Sequence, residues 1–133
     1  MRAIVYLLIL SGLSFQVHAE TPASLLAAYA SQARQENPAL DAPSANRGQQ
    51  FFQKTHGKEW SCASCHMQTP VGFGKHQVTG KRIDPLAPSA NAERFTSERK
   101  VEKWFKRNCG DVLGRACTAQ EKGDVLAWLL TLR

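Results

Sequence analysis

Cys62-Ala63-Ser64-Cys65-His66 places two thiols and an imidazole at a spacing that suits one particular chemistry. Thiols separated by two residues can each bond a vinyl group of the same porphyrin. The imidazole on the following residue then reaches the iron at the ring centre. The pattern predicts one covalently bound haem c, with thioethers at Cys62 and Cys65 and His66 as the proximal iron ligand. Three other chemistries use similar residues. A redox-active CxxC pair belongs with alternating strands and helices, and no strand-like alternation appears here. A zinc site would need Cys109 and Cys117 as well, but seven residues separate these, where zinc ligands favour tight pairs. A plain structural disulfide would not need His66.

The other side of the iron is less legible. Electron-carrying cytochromes of this size ordinarily place a methionine there. The chain has two, Met1 and Met67. Met1 falls in an expected leader, and Met67 follows His66 directly and is tethered to the proximal side. The remaining candidates for the sixth ligand are His56, His76, Lys75, Lys81, Asn91 and Asn108. His76 would give a closed, low-spin electron carrier. Val101, Trp104, Phe105 and Asn108 fall at i, i+3, i+4 and i+7, which puts the asparagine on an apolar helix face. A carboxamide turned towards a core without a partner costs about 1–3 kcal/mol. Asn108 would escape that cost if it merely capped its helix ahead of Gly110.

The elements that must position these residues are helical. Thr21-Pro22 opens a helix over about 22–36, with Leu25, Leu26, Tyr29 and Ala33 on one face. Asn37-Pro38 to Pro43 breaks it. A second helix is expected from Ser44 to about Lys54, with Ala45, Gly48, Phe51 and Phe52 on one side. Residues 55–91 hold four of the nine glycines and three of the six prolines and read as loop with short turns. A third helix runs from Thr96 or Ser97 to about Arg107. The capping box Thr118-Ala119-Gln120-Glu121 starts the last, which carries Val125, Leu126, Trp128, Leu129, Leu130 and Leu132. The fold class is all-α. In small haem proteins of this kind two helices cross closely at a small residue, and Gly48 and Trp128 are the expected contact pair.

Met1-Arg2 followed by the apolar run Ala3 to Leu10, ending in Val17-His18-Ala19, has the layout of a signal peptide cleaved after Ala19. The run is too short to cross a hydrocarbon core of about 30 Å, and nothing later could span a membrane. The expected organisation is residues 1–19 signal peptide, 20–43 N-terminal helix and linker, and 44–133 haem domain. The product would be periplasmic. The formal charge of +6 suits an acidic protein partner or an anionic surface. Nucleic acid is excluded by export and by the lack of a recognition motif. Lys100, Lys103, Lys106 and Arg107 make the third helix basic, a surface suited to guiding an acidic redox partner.

From Ser61 to Leu132 the chain resembles the sphaeroides haem protein type, a family of high-spin, oxygen-binding monohaem cytochromes c. The resemblance rests on Thr79-Gly80-Lys81, Pro85-Leu86-Ala87-Pro88-Ser89, Arg94-Phe95-Thr96, Val101-Glu102-Lys103-Trp104-Phe105, Arg107-Asn108-Cys109 and Val112-Leu113-Gly114-Arg115-Ala116-Cys117-Thr118. Arg47-Gly48 and the Leu25-Leu26 helix add to it. It implies a class I-like cytochrome c fold with an extra N-terminal helix, Asn108 as distal iron ligand, and a disulfide between Cys109 and Cys117. It also implies electron transfer with redox partner cytochromes, a dihaem cytochrome c and a membrane cytochrome b, and a diatomic ligand such as O2 or NO at the ferrous iron. Two other functions use the same iron: an oxidoreductase acting on a small molecule, by NO dioxygenation or nitrogen-oxide reduction, and a gas-binding module without turnover. No acid–base pair beside the haem can be read from the sequence, which favours a carrier over a dedicated enzyme.

Overall fold

The computed structural model describes residues 20–133; the expected signal segment, residues 1–19, lies outside them. The described chain forms α1 (Pro22–Glu36), α2 (Ala45–Gln53), the single-turn α3 (Cys62–His66), two-residue strands β1 (Gly74–Lys75) and β2 (Arg82–Ile83), α4 (Glu98–Leu113) and α5 (Ala119–Leu129). The fold is helical, as expected. The segment read as loop nonetheless holds α3 and a minimal antiparallel pair, Gly74 opposite Ile83 and Lys75 opposite Arg82. None of the described helices is long and apolar enough to cross a membrane.

Local chemistry sets the helix starts. At α1 the Ser24 amide donates to Thr21 Oγ1 at 3.0 Å, and the Thr21 amide donates to Ser24 Oγ at 2.8 Å. Pro22 fills the first turn, where its missing N–H has no consequence. Ser44 caps α2 by accepting from the Arg47 amide, and Thr118 with Glu121 forms the box that starts α5. The α4 start differs: the Ser97 side chain makes no cap, and the Glu20 carboxylate accepts from the Glu98 amide instead.

The far end of α4 corrects the sequence reading. The helix runs past Arg107 and through Gly110 to Leu113, and stops at Gly114, whose φ of 75° is left-handed. Gly110 costs helix stability of about 1 kcal/mol, but continuing the helix buries Cys109 and Val112. Asn108 therefore sits inside the helix, two turns' distance from a capping role.

The core is α5, with Val125, Leu126, Trp128 and Leu129 all buried and α1 and α2 laid across it. Gly48 is the point of closest approach. A Cβ there would stand 1.9 Å from the Asp124 carbonyl oxygen and 2.8 Å from the Val125 amide nitrogen. The contact expected between Gly48 and Trp128 is thus wrong in its partner. Gly48 lies on the α5 backbone, and Trp128 packs against Phe52, ring centroids 5.0 Å apart. Buried Asp124 fastens the crossing: it accepts from the Ser44 amide at 2.7 Å and from Arg47 Nε and Nη2 at 2.8 and 2.9 Å.

Two alanine substitutions should move stability in opposite directions. Gly48→Ala gains about 1 kcal/mol of helix propensity but forces the α2–α5 backbones apart. A net loss of about 1–3 kcal/mol or more is expected. At Gly110 nothing lies within 4 Å of the added carbon, so Gly110→Ala should stabilise by about 0.5–1 kcal/mol. Urea unfolding of both variants checks the pair of signs.

Candidate haem site

The CASCH segment folds into one helical turn, with the Ser64 hydroxyl engaging the residue that precedes the segment. The Ser61 amide donates to Ser64 Oγ at 3.0 Å. Ala63 is buried, and Met67, with a φ of 71°, ends the turn. This turn packs directly after α2, and the β1 strand closes over it. Gly74 makes that closure possible, since a Cβ at 74 would lie 2.1 Å from the Cys65 carbonyl oxygen. Gln77 Nε2 donates to the Ser64 carbonyl and holds the hairpin down.

Cys62, Cys65 and His66 open onto one cavity of about 630 Å³. That is within the range of roughly 300–1,000 Å³ usual for cofactor sites. Its apolar wall includes Phe52, Phe95, Val101, Phe105, Val125 and Leu129. Its charged lining includes Lys81, Arg82, Arg94, Lys100 and Arg107, together with the carboxylates of Asp84, Glu93 and Asp111. A flat apolar ring carrying charged groups on one edge fits this division, so the residues present suit a haem. Thr79, Trp60 and Trp104 also line the cavity, and Trp104 is half exposed at its edge.

The titrations of these groups match the same use. Burial pushes the Cys62 thiol up to about 11, so it stays protonated at neutral pH. A redox-active CxxC pair needs the opposite, a lowered thiol pKa. Burial, and then the charge of Arg94, pushes His66 down to about 4. It is therefore the neutral imidazole that binds metals.

The distal candidates separate on geometry. Asn108 lines the cavity from the middle of α4, on the same face as Val101, Trp104 and Phe105. His76 also lines it, but its Nδ1 accepts from the Val78 and Thr79 amides at 3.3 and 3.2 Å. Binding iron through Nε2 would require that nitrogen to be free of its proton, at the cost of these two contacts. His56 is turned away, with Nε2 2.8 Å from the Phe51 carbonyl oxygen and its ring on that of Phe51. The Asn91 side chain is held in a turn by Pro85 and Glu93. Lys81 lines the cavity and Lys75 does not; Met67 is half exposed and stands outside the lining.

Cys109 and Cys117 are joined in a disulfide, their Cα atoms 5.7 Å apart, and both line the cavity. Their bond removes the possibility of a four-cysteine metal site. In the chain-entropy account it contributes about 2.5 kcal/mol, and it ties the residue after Asn108 to the start of α5. Sequence reasoning missed Asp124 and Arg94. The first was hidden because its partner Arg47 lies 77 residues away. Arg94 appeared only as part of a matching segment.

The comparisons with known proteins find c-type cytochromes of the same fold. A family model described as a domain of unknown function, DUF1924, matches residues 38–129. Cytochrome c'' of Methylophilus methylotrophus is 42% identical over 128 residues, covering 90% of this chain and 89% of that protein. Cytochrome c-type protein SHP of Cereibacter sphaeroides is 46% identical over 114 residues, covering 82% of each. The crystal structure of oxidized cytochrome c'' aligns with a TM-score of 0.77 at 43% identity, over 84% of this chain and 94% of that one. The structure of oxidized SHP, described as an oxygen binding cytochrome c, aligns with a TM-score of 0.76 at 42% identity, over 86% and 99%.

A denaturing gel tests the attachment residues. Protein matured in a host that ligates haem c should keep haem staining after boiling in detergent. Cys62→Ala combined with Cys65→Ala should abolish the stain, while either single substitution should leave one thioether and a weaker band.

Proposed function

The chain belongs to the sphaeroides haem protein family of c-type cytochromes, and we propose that it is a periplasmic, high-spin electron carrier able to bind a diatomic gas. Its cofactor is haem c. In this reading Cys62 and Cys65 hold the ring, His66 is the proximal ligand, and Asn108 is a weak distal one. The observation that carries the reading is the position of Asn108: inside α4, on the face lining the cavity that His66 also lines. When bound, haem supplies one-electron chemistry and, while ferrous, a binding position for O2 or NO.

The residues of the chain set the terms of that chemistry. A carboxamide oxygen is neutral and a weaker donor than thioether or imidazole, so the distal bond should break readily. Without a distal methionine the reduction potential should fall below that of a His/Met cytochrome. The Cys109–Cys117 staple keeps the asparagine close at hand after it detaches. Such a disulfide, together with the leader-like sequence of residues 1–19, supports an oxidising, exported location.

For electron exchange the outer face of α4 is the suggested contact. Lys100, Lys103, Lys106 and Arg107 are exposed there, and none of them is in an ion pair among the described residues. Trp104, half exposed, stands among them, with the Arg107 guanidinium 5.8 Å from its ring centre. Glu102, on the inner side of α4, is already engaged by Lys122 at 2.7 Å and Tyr29 at 2.6 Å. An acidic c-type cytochrome is the fitting partner for this face.

Two experiments follow. Asn108→Ala should speed NO or CO binding to the ferrous protein by about tenfold, a barrier change of about 1.4 kcal/mol. His76→Ala should leave the rate within twofold. Stopped-flow mixing reads both, and a large effect confined to the His76 variant would contradict the assignment. Reduction by an acidic partner cytochrome should slow about tenfold or more between low and physiological ionic strength. Replacing Lys103 and Lys106 with glutamine should flatten that salt dependence.

A further inference from the structure

The segment Arg94-Phe95-Thr96 stands just before α4 and has no part in holding iron. Arg94 is half-buried and lines the haem cavity. Its Nε donates to the Pro85 carbonyl at 2.9 Å, and its Nη2 donates to the Asp84 carbonyl at 2.8 Å. A guanidinium has five N–H donors, so these two bonds fix its plane and leave the rest of the fork free. Arg94 is in none of the ion pairs among the described residues. The Asp84 carboxylate beside it is taken by Arg82 at 3.6 Å.

The backbone is strained to hold this arrangement. Phe95, a buried aromatic, has a φ of 60°, a conformation in which bulky residues are genuine outliers. Strain of that kind survives only where the surroundings fix it, and it gathers at binding sites. Here Phe95 is anchored in the core on one side of the kink and Arg94 is tied to two carbonyls on the other. A fixed, half-buried cation facing a cavity carries a desolvation cost unless an anion meets it.

We propose that Arg94 is the anchor for a propionate carboxylate of the haem, binding it through the unused part of its fork. The inference rests on haem c occupying this cavity and goes beyond the attachment and iron-binding residues. The charged fork matches a carboxylate in a bidentate or near-bidentate geometry. The other cations of the cavity rim are less suited. Arg82 lies over the Phe73 ring at 3.7 Å and pairs with Asp84. Arg107 is exposed, with no carbonyl among the described residues fixing its plane, and stands 5.8 Å from the Trp104 ring centre. Lys81 and Lys100 are exposed single-point donors. Arg94 is thus a positioning residue. It fixes the ring's polar edge to the 84–94 loop and offsets a negative charge that would otherwise favour ferric iron.

Arg94→Gln and Arg94→Lys in the haem-loaded protein test this, because the thioethers keep the ring in place in both. Resonance Raman spectroscopy reads the propionate bending band, and spectroelectrochemistry reads the midpoint potential. The band should shift in both variants, since each loses the fork. The potential should fall in Arg94→Gln and be largely restored in Arg94→Lys, which keeps the charge. A propionate band identical to wild type in both variants would overturn the proposal, whatever the potential does. Should Arg94→Gln fail to accumulate, the band in Arg94→Lys decides alone. The spin-state bands of the same spectra report the Asn108 assignment separately.

Discussion

The contact between Gly48 and the backbone of α5 is the constraint from which the rest of the architecture follows. With no Cβ in the way, α2 lies against the Asp124 carbonyl. That depth brings Phe52 onto Trp128 and lets Arg47 reach the buried Asp124 carboxylate. Breaking one partner of such a half-buried pair strands a charge in the core. Because α3 follows α2 closely, the same crossing sets where Cys62, Cys65 and His66 meet the cavity. One residue before Asp124 in α5, a Cβ at Gly123 would stand 3.3 Å from Pro43 and 3.4 Å from Tyr29, so the small residue lets α1 and the 37–43 linker pack closely on the same helix.

How much of this was legible depended on range. The haem motif and the caps of α1, α2 and α5 are local patterns, and the structure has those helix starts where the sequence puts them. The end of α4 was misread because a glycine was taken as a terminator. Gly110 is tolerated when the next turn buries Val112 and the disulfide, and the left-handed Gly114 is the real stop. Gly48 was recognised as a crossing point, but its partner could not be read, since a glycine's contact is with backbone and leaves no mark on side-chain periodicity. Asp124 drew no reading from the sequence, because its partner Arg47 is 77 residues away. Only folding shows that Ser44, Arg47 and Gln120 all donate to it.

The distal side shows why elimination by sequence stopped short. By composition His76 is a better ligand than Asn108. In the structure the Val78 and Thr79 amides of the hairpin turn engage His76 Nδ1, while Asn108 lines the cavity from α4. The asparagine, by contrast, stands inside a helix fixed at one end by the Glu20 carboxylate and near the other by a disulfide. On the proposed reading, a weak ligand on such a support would leave the metal and return without the fold having to reorganise, as reversible gas binding would require.

The central claim is that a neutral carboxamide, and not a second imidazole, faces the iron opposite His66. Electron paramagnetic resonance of the ferric wild-type protein at low temperature tests it most directly, because the spin state reports the strength of the distal ligand. The account predicts a predominantly high-spin signal. A purely low-spin spectrum of the bis-histidine type would contradict it.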